Sequence, residues 1–468
     1  MPGGRGAKSC PAYLAAIRRQ DSAGHRLPSF AGYLNKVFGF RRLAAGLHDA
    51  RTDPDFSPQS VFLAVFHGFV FRLRSFQQLE ADLSQPAFQR WIGAPRALSD
   101  DVLRYSLCGF DLAGLQQMLV HVNRKLKRNK AFDEGRVQGR IVAALDGIEV
   151  VSSYSRHCDS CLERRVTFTD REGRSEERIQ YYHRAIGCQI ISSPVKPFLD
   201  WEWLQPGEGE ETAAFRLLRR LPEQYGSRFF DILLLDSLYA QKPAFQLAQQ
   251  IGWDVVITFK QERRDLYQSA MGLFQSRPAD LQFEQPQDGQ RCQVQLWQTE
   301  GVAFSQDHPQ PMRVVRTEEA VTADHRRGDR TVTETTQHAW MWITTLDART
   351  FPGQQIWSLG HARWKNENNG WNDLTQNWAL KHGFLHACNH RPKVSSESGG
   401  SRAVPNRGLA AVVLILCLAF VLSSAFAILH SKLFRLHHPS LLEIGRQLYR
   451  SLWQLQPPIR APSPESGL

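Results

Sequence analysis

The 468-residue sequence predicts an α/β fold in which helices cover a mixed sheet. Apolar runs at 141–145, 150–154 and 185–191 predict three strands with no helical segment between them. Helix and strand patterns then alternate, from an amphipathic helix at 210–220 to a strand at 255–259. Strands that come first and a later alternation of strand and helix indicate a mixed sheet with flanking helices.

Helical patterns precede the strands over residues 31–130. An apolar helix begins after Ser57, and Ser99 is placed as the N-cap of a shorter one. Residues 1–30 are rich in Gly, Arg and polar side chains and read as a mobile leader. Small helical units often bind DNA, but helical bundles have many other uses.

The charge of the chain favours a polyanionic partner. Lys and Arg number 57 against 46 Asp and Glu, which gives a formal charge of +11. The densest basic cluster lies within residues 121–130 and contains Arg124, Lys125, Lys127 and Arg128. Such a cluster is either the solvated end of a helix or a stripe that contacts phosphates, and both interpretations stay open.

The eight cysteines do not form the framework of a secreted protein, and no signal-peptide pattern opens the chain. We therefore expect a reducing cytoplasm. The one close pair is Cys158 and Cys161. A structural Zn²⁺ site usually draws on two such pairs, so we expect reduced, packed thiols here rather than zinc.

Residues 409–429 are apolar except for Ser423 and Ser424. The run is long enough to span a membrane, but a helix buried on all sides in a large core has the same composition. Basic residues flank it on both sides, at Arg407 and Lys432, and give no orientation signal. We expect a core helix and no membrane partner.

Three acidic residues stand in settings that suggest chemistry. Asp146 and Asp236 each end an apolar run, and Glu367 lies in an aromatic, basic stretch that reads as a helix. A carboxylate at the end of a buried strand is costly unless a cation meets it. Together the three would form an oxygen-only site of the kind that Mg²⁺ or Mn²⁺ prefers. The alternative is ordinary turn chemistry, because Asp is common where strands end.

The surroundings of these acids resemble the DDE transposases of bacterial insertion sequences, in the IS4-like group. Asp146-Gly147 resembles the family's first acid motif, and the segment from Asp236 to Ala240 resembles the second. The stretch Arg363-Trp364-Lys365-Asn366-Glu367 resembles the third. The resemblance covers roughly residues 140–435.

Two positions depart from the family pattern. Gly360 stands where the family has Tyr, and Leu374 stands where it has Lys. The departures leave the acidic triad complete but put part of the usual phosphate-contact set in doubt, and Lys365 or Lys381 are candidates to replace it. A second interpretation follows, namely a catalytically inactive, transposase-derived protein that still binds DNA.

The resemblance implies an RNase H-like mixed sheet with flanking helices, a β-rich insertion and an N-terminal helical region. The implied order is a leader at 1–30, a helical DNA-binding region at 31–135, a first catalytic part at 136–262, the insertion at 263–340, a second catalytic part at 341–440 and a tail at 441–468.

The resemblance also implies the chemistry. Asp146, Asp236 and Glu367 would be the catalytic residues and hold Mg²⁺ or Mn²⁺, while Arg363 and Lys365 would contact DNA. The reaction would be hydrolytic cleavage at the element ends, followed by attack of the freed 3′-hydroxyl on target DNA. The expected partners are double-stranded DNA and a second copy of the chain, in the cytoplasm at the nucleoid.

Overall fold

The computed structural model describes residues 26–455 with gaps at 171, 261, 263–264, 288–289, 306–307, 328–329, 367–370, 383, 387–405 and 431–439. The third predicted acid, Glu367, lies outside the described residues. Most of the predicted leader (residues 1–25) and the last part of the predicted tail (residues 456–468) also lie outside them.

Helices form the first part of the chain. They are α1 Arg26–Phe38, α2 Phe40–Ala45, α3 Pro58–Val70, α4 Phe76–Leu83, α5 Pro86–Ile92, α6 Asp100–Cys108 and α7 Leu112–Arg128. Helix α1 begins inside the segment predicted as a leader. The predicted helix starts are confirmed, because the Ser57 side chain accepts a hydrogen bond from the amide of Ser60 and the Ser99 side chain accepts one from that of Val102.

A mixed sheet follows. Its strands are β1 Val142–Ser153, β2 Leu162–Thr169, β3 Ser175–Ile190, β4 Phe198–Trp203, β5 Ile232–Leu235, β6 Asp254–Thr258, β7 Leu281–Gln287, β8 Gln290–Ser305, β9 His308–Arg327 and β10 Arg330–Thr344. The described strands have the order β2-β3-β1-β5-β6-β10-β9-β8-β7, and β4 pairs with β3. Strands β1, β5 and β6 are parallel, whereas β3 and β10 run antiparallel to their neighbours in this central group.

Strand β1 corrects the sequence prediction. The runs 141–145 and 150–154 were expected to be separate strands with Asp146 at the end of the first. A register shift between Glu149 and Val151 lets one strand continue in pairing with β3. Asp146 therefore lies within a strand, at the point where its parallel pairing with β5 has ended.

The remaining described helices cover the sheet or close the chain. They are α8 Glu210–Tyr225, α9 Lys242–Ile251, α10 Asp265–Gln275, α11 Gly353–Asn366, α12 Asn372–Asn377, α13 Arg407–Leu429 and α14 Leu441–Trp453. The segment predicted to be β-rich at 263–340 begins with helix α10, and four antiparallel strands follow it.

Helix α13 is a core helix in this fold. Every residue from Gly408 to Ala427 is buried, and the helix packs against α3, α6 and α7. Among the described helices it is the one long and apolar enough to cross a membrane, with a mean hydropathy of 2.9. Burial of one Leu or Val side chain contributes ~1.5–3 kcal/mol, so this helix supplies a large part of the core. The packing agrees with the core-helix interpretation.

Candidate active site

The parallel pairing of β1 and β5 ends two residues before each of the first two predicted acids. Val142 pairs with Ile232 and Ala144 with Leu234. Asp146 follows Ala144 by two residues on β1, and Asp236 follows Leu234 by two residues, directly after β5. Adjacent strands lie ~4.8 Å apart, and residues two positions apart point to the same face. We therefore expect both carboxylates on one face of the sheet, at the carboxyl ends of the paired segments.

Local hydrogen bonds fix both aspartates. Oδ1 of Asp146 accepts from the amide of Gly147 at 2.8 Å. Oδ1 of Asp236 accepts from the amide of Leu238 at 2.9 Å and caps a short 3₁₀ turn. Within the part of the chain that the structure describes, no Lys or Arg forms an ion pair with Asp236.

A close ion pair lies directly over Gly147. Arg184 on β3 pairs with Glu210, the first residue of α8, at 2.5 Å. A Cβ at position 147 would lie 2.9 Å from the guanidinium of Arg184 and 2.9 Å from the carboxyl carbon of Glu210. Glycine after Asp146 therefore leaves room for the side chains of Arg184 and Glu210 beside the strand.

Glu210 is a third carboxylate at the site that sequence reasoning missed. Its Oε1 accepts a hydrogen bond from the hydroxyl of Tyr239 at 3.2 Å. Burial raises the pKa of Glu210, Arg184 opposes this increase, and the negative charge of Asp236 adds to it. Acidic residues are common in the first turn of a helix because the helix dipole stabilises them. The position of Glu210 in the sequence therefore did not indicate a role at the site.

Two buried ion pairs hold α8 against the sheet. Arg220 of α8 pairs with Asp200 at 2.7 Å and with Glu202 at 2.5 Å, and both acids lie on β4. Asp200 and Glu202 are almost fully buried. Because Arg220 satisfies both charges, the helix is fixed on β4, and its first residue, Glu210, is held beside Gly147.

Arg363 on α11 supplies a cation to Asp146. Its Nη1 lies 3.7 Å from Oδ2 of Asp146, and the residue is only 7% exposed. Helix α11 is anchored nearby by the buried Glu319 of β9. Glu319 accepts hydrogen bonds from Trp357 at 2.8 Å and from His361 at 3.0 Å. These contacts fix the helix turn that presents Arg363 to the acids.

Both departures from the family pattern are packed positions. A Cβ at Gly360 would lie 2.3 Å from the ring of Trp342, which is fully buried on β10. Leu374 on α12 has no exposed surface. A long polar side chain at either position would have to displace core residues, so neither position is placed to contact a phosphate.

Two other predicted residues remain without a described side chain. Glu367 directly follows the last residue of α11, outside the described residues. Lys365 lies within α11, but its side chain is not among those the structure describes. Their predicted roles stay predictions.

The basic cluster on α7 does not join the acids. Arg124 donates to the backbone carbonyl of Gln224, and Lys127 donates to that of Phe229 at 3.0 Å. These carbonyls lie just before β5, at the opposite end of that strand from Asp236. Contact of this cluster with DNA stays a prediction. Two of its cations bind the protein, and Lys125 and Arg128 remain beside them, with Arg128 exposed.

The donor set suits a hard divalent cation. Asp146, Asp236 and Glu210 contribute carboxylate oxygens, the ligands that Mg²⁺ and Mn²⁺ prefer. Arg184 and Arg363 contribute two positive charges against these three negative charges. One negative charge remains uncompensated among these five groups, so a bound cation would be favoured.

Comparisons with known proteins do not identify the chain. No family model and no curated protein matches it. One similar solved structure is the cryo-EM structure of a piggyBac transposase synaptic complex with hairpin DNA. That likeness has a TM-score of 0.38 and 10% identity, and covers 96% of this chain and 80% of that chain. A TM-score this low carries no argument about fold or function.

Proposed function

We propose that the chain is a DDE-type DNA transposase with an RNase H-like fold, which cleaves DNA and joins the freed 3′-hydroxyl to a target. The observation that carries the proposal is that Asp146 and Asp236 each follow, by two residues, the last residue pair between the parallel strands β1 and β5. Arg363, from the helix that leads to Glu367, reaches the same place. The motif resemblance supplies the reaction class.

The donor set fits the metal that this function requires. Asp146, Asp236 and Glu367 would hold Mg²⁺ or Mn²⁺, with Glu210 as a further negative charge at the site. When bound, the ions would activate the attacking water or hydroxyl and stabilise the leaving oxygen of the phosphodiester.

Residues of the chain itself would position the DNA. Arg363 is a buried, permanently charged donor, so it would orient a phosphate at the carboxyl ends of the strands. Lys260 follows β6 at the same edge and is exposed, with its ammonium group 5.3 Å from the ring of Trp340. It would contact the DNA backbone farther from the reacting bond.

The overall charge supports a polyanionic substrate. A formal charge of +11 would displace counterions from DNA, so binding should weaken steeply as salt rises. Association that does not respond to salt would contradict phosphate-dominated contact.

The test uses the full chain and DNA fragments from the genome. These fragments carry the two ends of the DNA segment that contains the coding sequence of the chain. Asp146→Asn, Asp236→Asn and Glu367→Gln should each slow Mg²⁺-dependent cleavage by at least ~100-fold, because several kcal/mol of transition-state stabilisation depend on the metal. DNA binding, measured by gel shift, should be retained.

Asp231→Asn is the matched control. Asp231 directly precedes β5, whereas Asp236 directly follows it, and an Asn can still accept the hydrogen bond from the amide of Ile141. This variant should cleave like the wild type. Full Mg²⁺-dependent cleavage by Asp146→Asn or Asp236→Asn would overturn the proposed active site.

A DNA-binding protein without catalytic activity is the second candidate. The buried positions of Gly360 and Leu374 favour it, because they deprive the site of two family contacts to phosphate. A strand-transfer assay separates the two functions. Specific binding of the end fragments with no cleavage in either Mg²⁺ or Mn²⁺ would support the second candidate and contradict the first.

A further inference from the structure

Away from the acids, two cysteines converge in the connection between β1 and β2. The amide of Cys161 donates to the carbonyl of Cys158 at 3.0 Å, and the amide of Cys158 donates to Sγ of Cys161 at 3.2 Å. This tight turn places the two sulfurs 3.7 Å apart. The separation is far longer than the ~2.05 Å of a disulfide. Both thiols are free.

Two histidines complete the cluster. Nε2 of His183, on β3, lies 3.2 Å from Sγ of Cys158 and 3.5 Å from Sγ of Cys161. Nε2 of His386, which follows α12, lies 3.3 Å from Sγ of Cys161. Cys161, His183 and His386 are buried, and Cys158 is half-buried.

The spacing matches a tetrahedral metal site. With Zn–S of ~2.3 Å and Zn–N of ~2.0–2.1 Å, neighbouring ligand atoms lie ~3.8 Å apart for two sulfurs and ~3.5 Å apart for sulfur and nitrogen. The sulfurs are 3.7 Å apart, and the sulfur–nitrogen distances are 3.2, 3.5 and 3.3 Å. These are four of the six separations in a tetrahedron: Cys158, Cys161 and His183 all lie within 4.8 Å of one another, and His386 joins the group through its contact with Cys161.

One sulfur lies at the centre of this cluster. Sγ of Cys161 approaches three other side-chain atoms and one amide. A single cation would give every one of these lone pairs a partner. We propose that Cys158, Cys161, His183 and His386 bind a structural Zn²⁺ ion.

The ion would join segments that are distant in the sequence. Cys161 and His386 are 225 residues apart, and the carbonyl of His386 accepts a hydrogen bond from Asn406 at 3.0 Å. Asn406 is the N-cap of the core helix α13. A zinc ion bound here would therefore link strands β1 to β3 to the N-terminus of the core helix α13.

The proposed zinc site is also connected to the proposed active site through β3. Trp371 lies between the position of Glu367 and His386 in the chain and packs so closely on Gly187 of β3 that a Cβ there would be 2.5 Å from its ring. Gly187 is the strand partner of Asp146. Trp371 and the proposed zinc would thus anchor the segment after the third acid at two points along β3.

The chemistry requires only loss of protons. Each thiol releases one proton to solvent as its sulfur becomes a zinc-bound thiolate, and the two neutral imidazoles bind through Nε2. No oxidant or reductant takes part. Because the closed set of four ligands leaves no open position, the ion would act in structure rather than in catalysis.

The first test is the metal content of the full, untagged chain, purified from zinc-supplemented culture without chelator. The expected result is one zinc ion per chain. Cys158→Ser and His386→Gln should each lower the affinity for Zn²⁺ by more than the ~10–100-fold that loss of a merely ligand-orienting residue costs. Cys292→Ser, which changes a buried free cysteine on β8, is the control and should keep zinc.

Cobalt replacement keeps the proposal testable if a variant does not fold. Co²⁺ in the wild-type chain should give the strong visible bands of tetrahedral coordination together with thiolate-to-cobalt charge transfer. A folded wild type without zinc, or a Co²⁺ spectrum without thiolate bands, would overturn the site. Unchanged zinc affinity of His386→Gln would overturn the fourth ligand.

The zinc proposal stands apart from the proposed transposase activity. Asp146→Asn should retain one zinc ion per chain, since Asp146 is not among the four ligands. Loss of zinc from Asp146→Asn alone would contradict the separation of the two sites.

Discussion

The contact between Arg363 and Asp146 gives the most quantitative prediction. The two charged groups are 3.7 Å apart, and their side chains are only 9% and 17% exposed, so solvent screens them little. Coulomb's law at an effective dielectric constant of ~20 gives an attraction of about 4 kcal/mol. Desolvation offsets much of this. We therefore expect a coupling free energy of ~1–3 kcal/mol from a double-mutant cycle.

The cycle uses Arg363→Met, Asp146→Asn and the double variant. Urea unfolding is followed by tryptophan fluorescence, without added Mg²⁺ and with zinc present. Asp146→Asn also relieves repulsion from Asp236, and the cycle cancels this contribution. The comparison is the half-exposed pair of Arg104 and Asp100 on α6, for which we expect less than ~0.5 kcal/mol. A coupling for Arg363 no larger than that of this pair would refute the reasoning.

Three further predictions concern single positions. Glu210→Gln keeps the acceptor for Tyr239 but removes a negative charge, so calorimetry should show several-fold weaker Mn²⁺ binding; unchanged affinity would remove Glu210 from the site. Gly360→Ala should lower the free energy of unfolding by ~1–3 kcal/mol through overpacking against Trp342, and a urea midpoint equal to the wild type would show that the ring can yield. Burial lowers the pKa of His67 from 6.5 to about 4, so its stabilising contribution is present above pH 6.5 and is lost as the pH falls towards 4. Between pH 7.5 and 5 this loss amounts to ~2 kcal/mol, and His67→Gln should lack it; an equal pH dependence of the urea midpoint in both proteins would contradict the assignment.

The sequence was sufficient where the pattern is local. Apolar runs predicted strand residues before Asp146 and before Asp236, because a buried parallel strand needs apolar residues on both faces. Capping serines predicted helix starts, because their hydroxyl groups accept bonds from amides three residues away. The long apolar run at 409–429 predicted the core helix, because its apolar composition can be read from the local sequence alone.

Features that depend on distant partners could not be predicted. The bulge that makes β1 continuous is set by pairing with β3, so the sequence of β1 alone suggested two strands. The carbonyl groups that accept hydrogen bonds from Lys127 lie about a hundred residues later in the chain and have no sequence signature.

The convergence of two histidines on the cysteine pair was hidden for the same reason. One CxxC motif is weak evidence, and the decisive neighbours, His183 and His386, are far from it in the chain. Glu210 was likewise hidden as an ordinary acid in a first helical turn. In each case the fold, rather than the local pattern, determines which groups meet.

The central claim is that Asp146 and Asp236 belong to one metal site. Calorimetric titration of Mn²⁺ into the zinc-loaded full chain tests it directly. Asp146→Asn and Asp236→Asn should each abolish the same binding event, while Asp231→Asn leaves it intact. Mn²⁺ binding of wild-type affinity in either of the first two variants would contradict the claim.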